Sequence, residues 1–326
     1  RYVMGPEGSG AEATPAQVEA MRAELRAALD AGGLGFSSSQ SFTHNDGDGT
    51  PIPSRSATTE EVLALCEVVA DYEGTTLEYI TDGCLRGFTE EEAGRLTKMS
   101  LAANRPLNWN VLTIDSRDPA AFEHQLAASA AAERAGAKVV ALTMPILVPM
   151  NMSFLTRCAL TLFPYWDTIL TLPVEERMEK LRDPEVRAGM VAAAQSDEAG
   201  VLRRLNGWAD YTIGDTFSAA NAPLEGRRVG DIAAERGLEP FDALVEVVLA
   251  DDLRTVLWPT PLEDDDESWR LRMAVLDGER AMVGGSDGGA HLDRMLGSVY
   301  PTAFLADCTR GRRLIGAERA GQLMTD

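Results

Sequence analysis

The chain has 326 residues, 51 of them acidic and 30 basic, for a formal charge of −21. Its length suits one large domain or two ordinary ones, and 45% hydrophobic with 25% charged residues is a globular composition that argues against disorder, collagen and coiled coil. No apolar run approaches the roughly 20 residues of a membrane-spanning helix. An acidic surplus without any Lys/Arg-rich run repels phosphate backbones and anionic lipid, so neither nucleic acid nor a membrane is expected as a partner.

Thr14-Pro15 opens the first helical pattern, with Gln17 placed for a capping box and Val18, Met21, Leu25 and Ala28 as its stripe until Gly32-Gly33. A short strand follows at Leu34-Gly35-Phe36-Ser37. Thr58 with Glu61 starts the next helix, whose stripe is Val62, Leu65, Cys66 and Val69, and Leu77 to Thr81 is the strand after it. Thr89 with Glu92 caps a third helix, followed by a strand over Leu107 to Leu112. Asp118-Pro119 begins a fourth, followed by Val139 to Thr143. Helix starts recurring about every 30 residues have the size of a βα unit and imply a parallel sheet covered by helices.

Regularity ends after Met144-Pro145. Residues 150–205 are first apolar and proline-punctuated (Phe163-Pro164-Tyr165-Trp166), then charged and helical from Glu175 to Leu181 and Glu185 to Ala194. An insertion of this length in an α/β barrel rises from the loops after the strands and covers the site. Beyond it lie Ala209 to Ile213, a helical pair at Val229 to Arg236 and Phe241 to Ala250, a strand-like Thr255 to Trp258, and an acidic loop. The last strand, Ala281 to Gly284, runs into Gly285-Ser286-Asp287-Gly288-Gly289-Ala290-His291. About five of the eight strands of a closed barrel can be counted; an open doubly wound sheet fits the alternation almost as well. No phosphate-cradling glycine pattern follows Leu34.

In a barrel, chemistry gathers where strands end. Asp287, after a Val-Gly-Gly strand and flanked by small residues, is either a metal ligand or general base, or a turn aspartate capping the next helix. Asp82 ends the second strand with the same two readings, while Asn108 and Asn110 lie in the third. His291 either approaches the pocket of Asp287 or opens a helix. His44 lies in a Gly/Asp-rich loop whose Asp46-Gly47-Asp48-Gly49 superficially suggests calcium but lacks the terminal glutamate of an EF-hand. His124, beside Glu123, is expected on a helix surface. Cys66, Cys84, Cys158 and Cys308 are far apart with no CxxC pair, and read as reduced thiols of a cytoplasmic protein. The chain opens Arg1-Tyr2-Val3 without initiator methionine or leader and closes on a helical pattern, so it is expected to be a fragment.

Gly33 to Ser39, His44, Asp46-Gly47 and Pro51-Ile52-Pro53-Ser54-Arg55, with Val283 to His291, resemble the D-aminoacylase-like branch of the amidohydrolase superfamily, which includes the N-acyl-D-amino-acid deacylases. The resemblance runs in order along nearly the whole chain. It implies a (β/α)8 TIM-barrel-like metal-dependent hydrolase fold, of which residues 1–326 would hold strands four to eight and the helical insertion. The first three strands, the HxH metal pair and the small β-sandwich would lie elsewhere. It further implies one or two Zn2+ ions, a small-molecule amide substrate, linear or cyclic, and a homo-oligomer is allowed for.

On this mapping Asp287 matches the aspartate that accepts a proton from the attacking water and passes it to the leaving nitrogen. His44, Asn108, Asn110, Ser286 and His291 would line the substrate pocket. Asp82 stands where the family carries a metal-binding histidine, and Asn108 or Asn110 where it carries another. A carboxylate binds zinc through oxygen, but an asparagine amide is a poor ligand. Either the site is different and single-metal, or the chemistry has changed. The leading expectation is a C–N amide hydrolase; the alternative is a non-catalytic barrel descendant that binds a small ligand or a protein.

Overall fold

The computed structural model describes residues 2–46, 48–147, 150–261, 263–286, 288 and 298–325. Asp287 and His291 lie outside the described residues. The chain divides into two compact units, one of Arg1–Ile146, Glu263–Gly285 and Tyr300–Asp326, the other of Leu147–Leu262 and Ser286–Val299. The stretch 150–205 falls inside the second unit, which runs well past it.

Seven strands are found among the described residues: β1 Gly35–Ser39, β2 Thr76–Ile80, β3 Leu107–Trp109, β4 Val139–Thr143, β5 Thr212–Ile213, β6 Leu257–Trp258 and β7 Ala281–Val283. In the first unit β1, β2, β3, β4 and β7 form one sheet in that order, every pair parallel. These are the five strands legible in the sequence, and the sheet they form is not closed into a ring among the described residues. β3 is shorter than the Leu107 to Leu112 expected.

A helix at Pro15–Asp30 precedes β1, and helices at Thr59–Val69, Glu90–Ala103 and Pro119–Arg134 lie in the connections between β1, β2, β3 and β4. Thr14 accepts from the Gln17 amide while Gln17 bonds back to the Thr14 amide, and Thr89 with Glu92 closes the same reciprocal box; each satisfies donors that a helix start leaves orphaned. Thr58 accepts from the Glu61 amide at 3.1 Å. Pro119 starts its helix without a side-chain cap from Asp118.

Alternation along the strands decides what meets the helices. Leu77, Tyr79, Leu107 and Trp109 are fully buried and share one core with Val62, Cys66, Val69, Leu96, Met99 and Ala103. Phe88 packs edge-on against Trp109, with centroids 5.0 Å apart. The opposite face carries a polar row in register, Ser37 beside Glu78 and Glu78 beside Asn108. β1 can begin only with glycine: a Cβ on Gly35 would stand 1.8 Å from the Thr76 carbonyl oxygen.

The second unit has its own core. β5 and β6 pair antiparallel, so neither Ala209 to Ile213 nor Thr255 to Trp258 joins the parallel sheet. Trp166, fully buried, stacks on Trp208 at 5.4 Å, meets Phe163 at 5.2 Å and Phe241 at 5.4 Å, and donates its indole N–H to the Met190 carbonyl at 2.7 Å. Arg177, in the helix Val174–Arg182, is buried and donates to the carbonyls of Leu172 at 2.7 Å and Leu155 at 2.9 Å, so its charge is met by backbone dipoles. No helix among the described residues is long and apolar enough to cross a membrane.

Candidate functional site

The parallel sheet sends β1 and β2 to the same end, and the chain beyond each folds back on the other. The Gln40 amide donates to the Ile80 carbonyl at 2.8 Å, and its side chain donates to the Ala57 carbonyl at 2.6 Å. The Phe42 amide donates to Asp82 Oδ1 at 2.6 Å, and the Arg86 guanidinium lies 4.1 Å from the Phe42 ring centroid. These links frame a cavity of about 310 Å3 lined by Gln40, Arg55, Ser56, Thr81, Asp82, Glu92 and Arg95, with Ala57. Two guanidinium groups and two carboxylates face one small space.

Glu92 has a double task. Its Oε2 accepts from the Thr89 amide and hydroxyl, each at 3.0 Å, and its Oε1 from the Gly83 amide at 2.9 Å. Burial works against the charge, but these donors prevail and hold the carboxyl below its ordinary value of 4.5. Because the folded value is depressed, the stability Glu92 contributes is present above the unfolded value and lost as pH falls below it. Glu92→Gln should therefore cost about 1–2 kcal/mol at neutral pH, lowered by partial solvent screening, and progressively less under acid. Urea unfolding of both proteins on either side of pH 4.5 checks this; a difference independent of pH would refute it.

Of the described residues singled out as site candidates in the sequence, only Asp82 lines this cavity. Asn108 sits on the polar face of β3, half-buried. Asn110 follows β3, and its Oδ1 is buried with no hydrogen-bond partner among the described residues. His44 lies in the loop after β1, its amide donating to the Ser41 carbonyl at 3.1 Å. Asp46 Oδ1 accepts from the amides of Asp48 at 3.0 Å and Thr50 at 2.9 Å, so the calcium-like spelling serves a turn. His124 is exposed on its helix, as expected, and places Nε2 3.0 Å from the Phe88 carbonyl oxygen. The Ser286 hydroxyl accepts from the Gly288 amide at 3.2 Å. All four cysteines are free and buried; burial pushes the Cys66 thiol up to about 12.

Arg55, Glu92 and Arg95 were not picked out as site residues from the sequence. Glu92 carried a signal, but for its cap; Arg95 looks like any charge on an amphipathic helix; Arg55 appeared only inside the Pro53-Ser54-Arg55 motif. Among the described residues no three His, Cys, Asp or Glu side chains come together to hold a metal ion, and one Asp82 oxygen already serves the Phe42 amide. The described side chains by themselves do not fit the zinc site implied by the resemblance.

The amidohydrolase family profile matches residues 1–310; with its α/β sheet and the strand-end motifs already described, the chain belongs to the amidohydrolase family. Among solved structures it is similar to a D-aminoacylase studied for the functional role of its binuclear metal center, with 19% identity and a TM-score of 0.51 over 96% of this chain and 52% of that one. It is also similar to the N-acyl-D-glutamate deacylase of Bordetella bronchiseptica complexed with zinc and a phosphonate inhibitor, with 19% identity and a TM-score of 0.45 over 97% of this chain and 52% of that one. The chain thus spans about half the length of these relatives. No curated protein matches it significantly.

Proposed function

We propose that this chain is part of an enzyme that hydrolyses a C–N amide bond in a small molecule, of the N-acyl-D-amino-acid deacylase kind. The observation that carries the reading is the match to the amidohydrolase family over residues 1–310, joined to a parallel sheet whose last strand, Ala281–Val283, is followed in sequence by Gly284-Gly285-Ser286-Asp287. Asp287 would take the proton of the attacking water and deliver it to the nitrogen as the bond breaks, so that an amine rather than an amide anion departs. His291 and Ser286 flank it in sequence, and the resemblance adds Asn108 and Asn110 as pocket residues. A metal, expected as zinc, would supply Lewis acidity, but the described side chains do not by themselves compose its site.

Release of free amino acid from a panel of N-acyl-D- and N-acyl-L-amino acids and cyclic amides, followed with ninhydrin, tests the reading. Turnover of an N-acyl-D-amino acid at a rate linear in protein is the expected result, and failure across the whole panel overturns it. A second reading, a barrel descendant that binds without catalysis, is favoured by Asp82 and by Asn108 or Asn110 standing where the resemblance expects metal-binding histidines. It predicts saturable binding of the same amides with no product.

A further inference from the structure

We propose that the cavity between the ends of β1 and β2 is a binding site for a free α-amino acid in its zwitterionic form. A free amino acid is also what hydrolysis of an N-acyl amino acid would release, so the inference deepens that reading, while its evidence is the charge and hydrogen bonding of the cavity itself. The space of about 310 Å3 lies at the small end of the range for ligand pockets, and its two arginines and two carboxylates cancel in formal charge. A dianion such as phosphate would meet Asp82 and Glu92 as like charges, and a bare cation would meet Arg55 and Arg95. A molecule carrying one charge of each sign is repelled by neither pair.

The hydrogen bonds show which groups remain for a ligand. Both Glu92 oxygens are taken by the donors of Gly83 and Thr89, so Glu92 supplies field rather than a contact. Asp82 has one oxygen on the Phe42 amide; the other accepts nothing from the described residues and can receive an ammonium group. Arg95 is bonded to Gln40 and to Glu91 at 3.1 Å, yet its Nε is buried without a partner among the described residues, as is the hydroxyl of the fully buried Tyr79 that lies against this guanidinium. Arg55 gives one nitrogen to Asn45 at 2.6 Å and keeps the rest of its fork for a carboxylate. The ligand's carboxylate therefore sits on the arginine side and its ammonium on Asp82.

Isothermal titration of the whole chain with glycine and D-alanine, beside acetate and ethylamine as single-charge analogues, tests the assignment. Saturable one-to-one binding of the amino acids is expected, with both analogues about tenfold weaker or more, and a comparable loss in Arg55→Gln and in Asp82→Asn. Circular dichroism of each variant confirms that it is folded. Acetate or ethylamine binding as tightly as the amino acids, an unchanged affinity in Arg55→Gln, or no saturable heat at all overturns the assignment. So does a divalent cation that binds with the same dependence on Asp82. None of these readouts involves turnover, so failure here is separate from failure of the hydrolase reading.

Discussion

Replacing Asp287 by Asn should lower kcat for amide hydrolysis by about 10²–10⁴-fold, the usual worth of one positioned acid–base group, with a much smaller change in KM. Asparagine keeps the size of the side chain and can still donate and accept hydrogen bonds, but it cannot take a proton from water near neutral pH. A helix-capping aspartate behaves differently. Asn is as good an N-cap as Asp, so a purely structural Asp287 would give a variant of nearly wild-type activity. Steady-state kinetics on the whole protein, with the melting temperature of both forms, distinguishes the two. Wild-type kcat in a folded Asp287→Asn protein would end the proton-transfer role.

Trp166→Ala should be the most damaging single change in the second unit, at about 3–5 kcal/mol. The indole is fully buried, stacks on Trp208, touches Phe154, Phe163 and Phe241, and carries a hydrogen bond to the Met190 carbonyl. Its removal leaves a hole in a close-packed aromatic cluster and takes one donor from the Met190 carbonyl, so the transfer and cavity penalties act together. Trp166→Phe should recover part of the loss by refilling the space without restoring the N–H. Tryptophan fluorescence followed through urea unfolding measures both. A loss under 1 kcal/mol for the alanine variant would mean the cluster relaxes around the gap far more than core packing allows.

The sheet was legible because its information is local. Thr14 with Gln17 and Thr89 with Glu92 announce their helices within four positions, and the apolar runs at Leu77, Leu107 and Val139 are those of strands buried against helices. Sequence alternation also placed Asp82 at a strand end. What could not be read is whatever depends on contacts between distant residues. Arg95 comes to Gln40 across 55 positions and Phe42 to Asp82 across 40, and nothing in either neighbourhood marks the pairing. Strand length failed at β3 for a related reason: Asn110 to Leu112 continue the apolar alternation, yet after Trp109 the chain leaves the ladder. The extent of the second unit was hidden too, because Thr255 to Trp258 is β-rich in the same manner as the parallel strands but pairs with Thr212–Ile213.

Among the described residues β1 and β7 each have a strand on one flank only, and Met282 on β7 is 42% exposed. Each outer flank is a column of backbone amides able to pair with another molecule, and copies of the chain are kept apart mainly by their shared charge of −21. Such repulsion acts over about 30 Å in dilute buffer and only about 3 Å in molar salt. Concentrated brine, commonly added to discourage sticking, would here remove the safeguard, and colloidal stability should be sought in dilute, slightly alkaline solution.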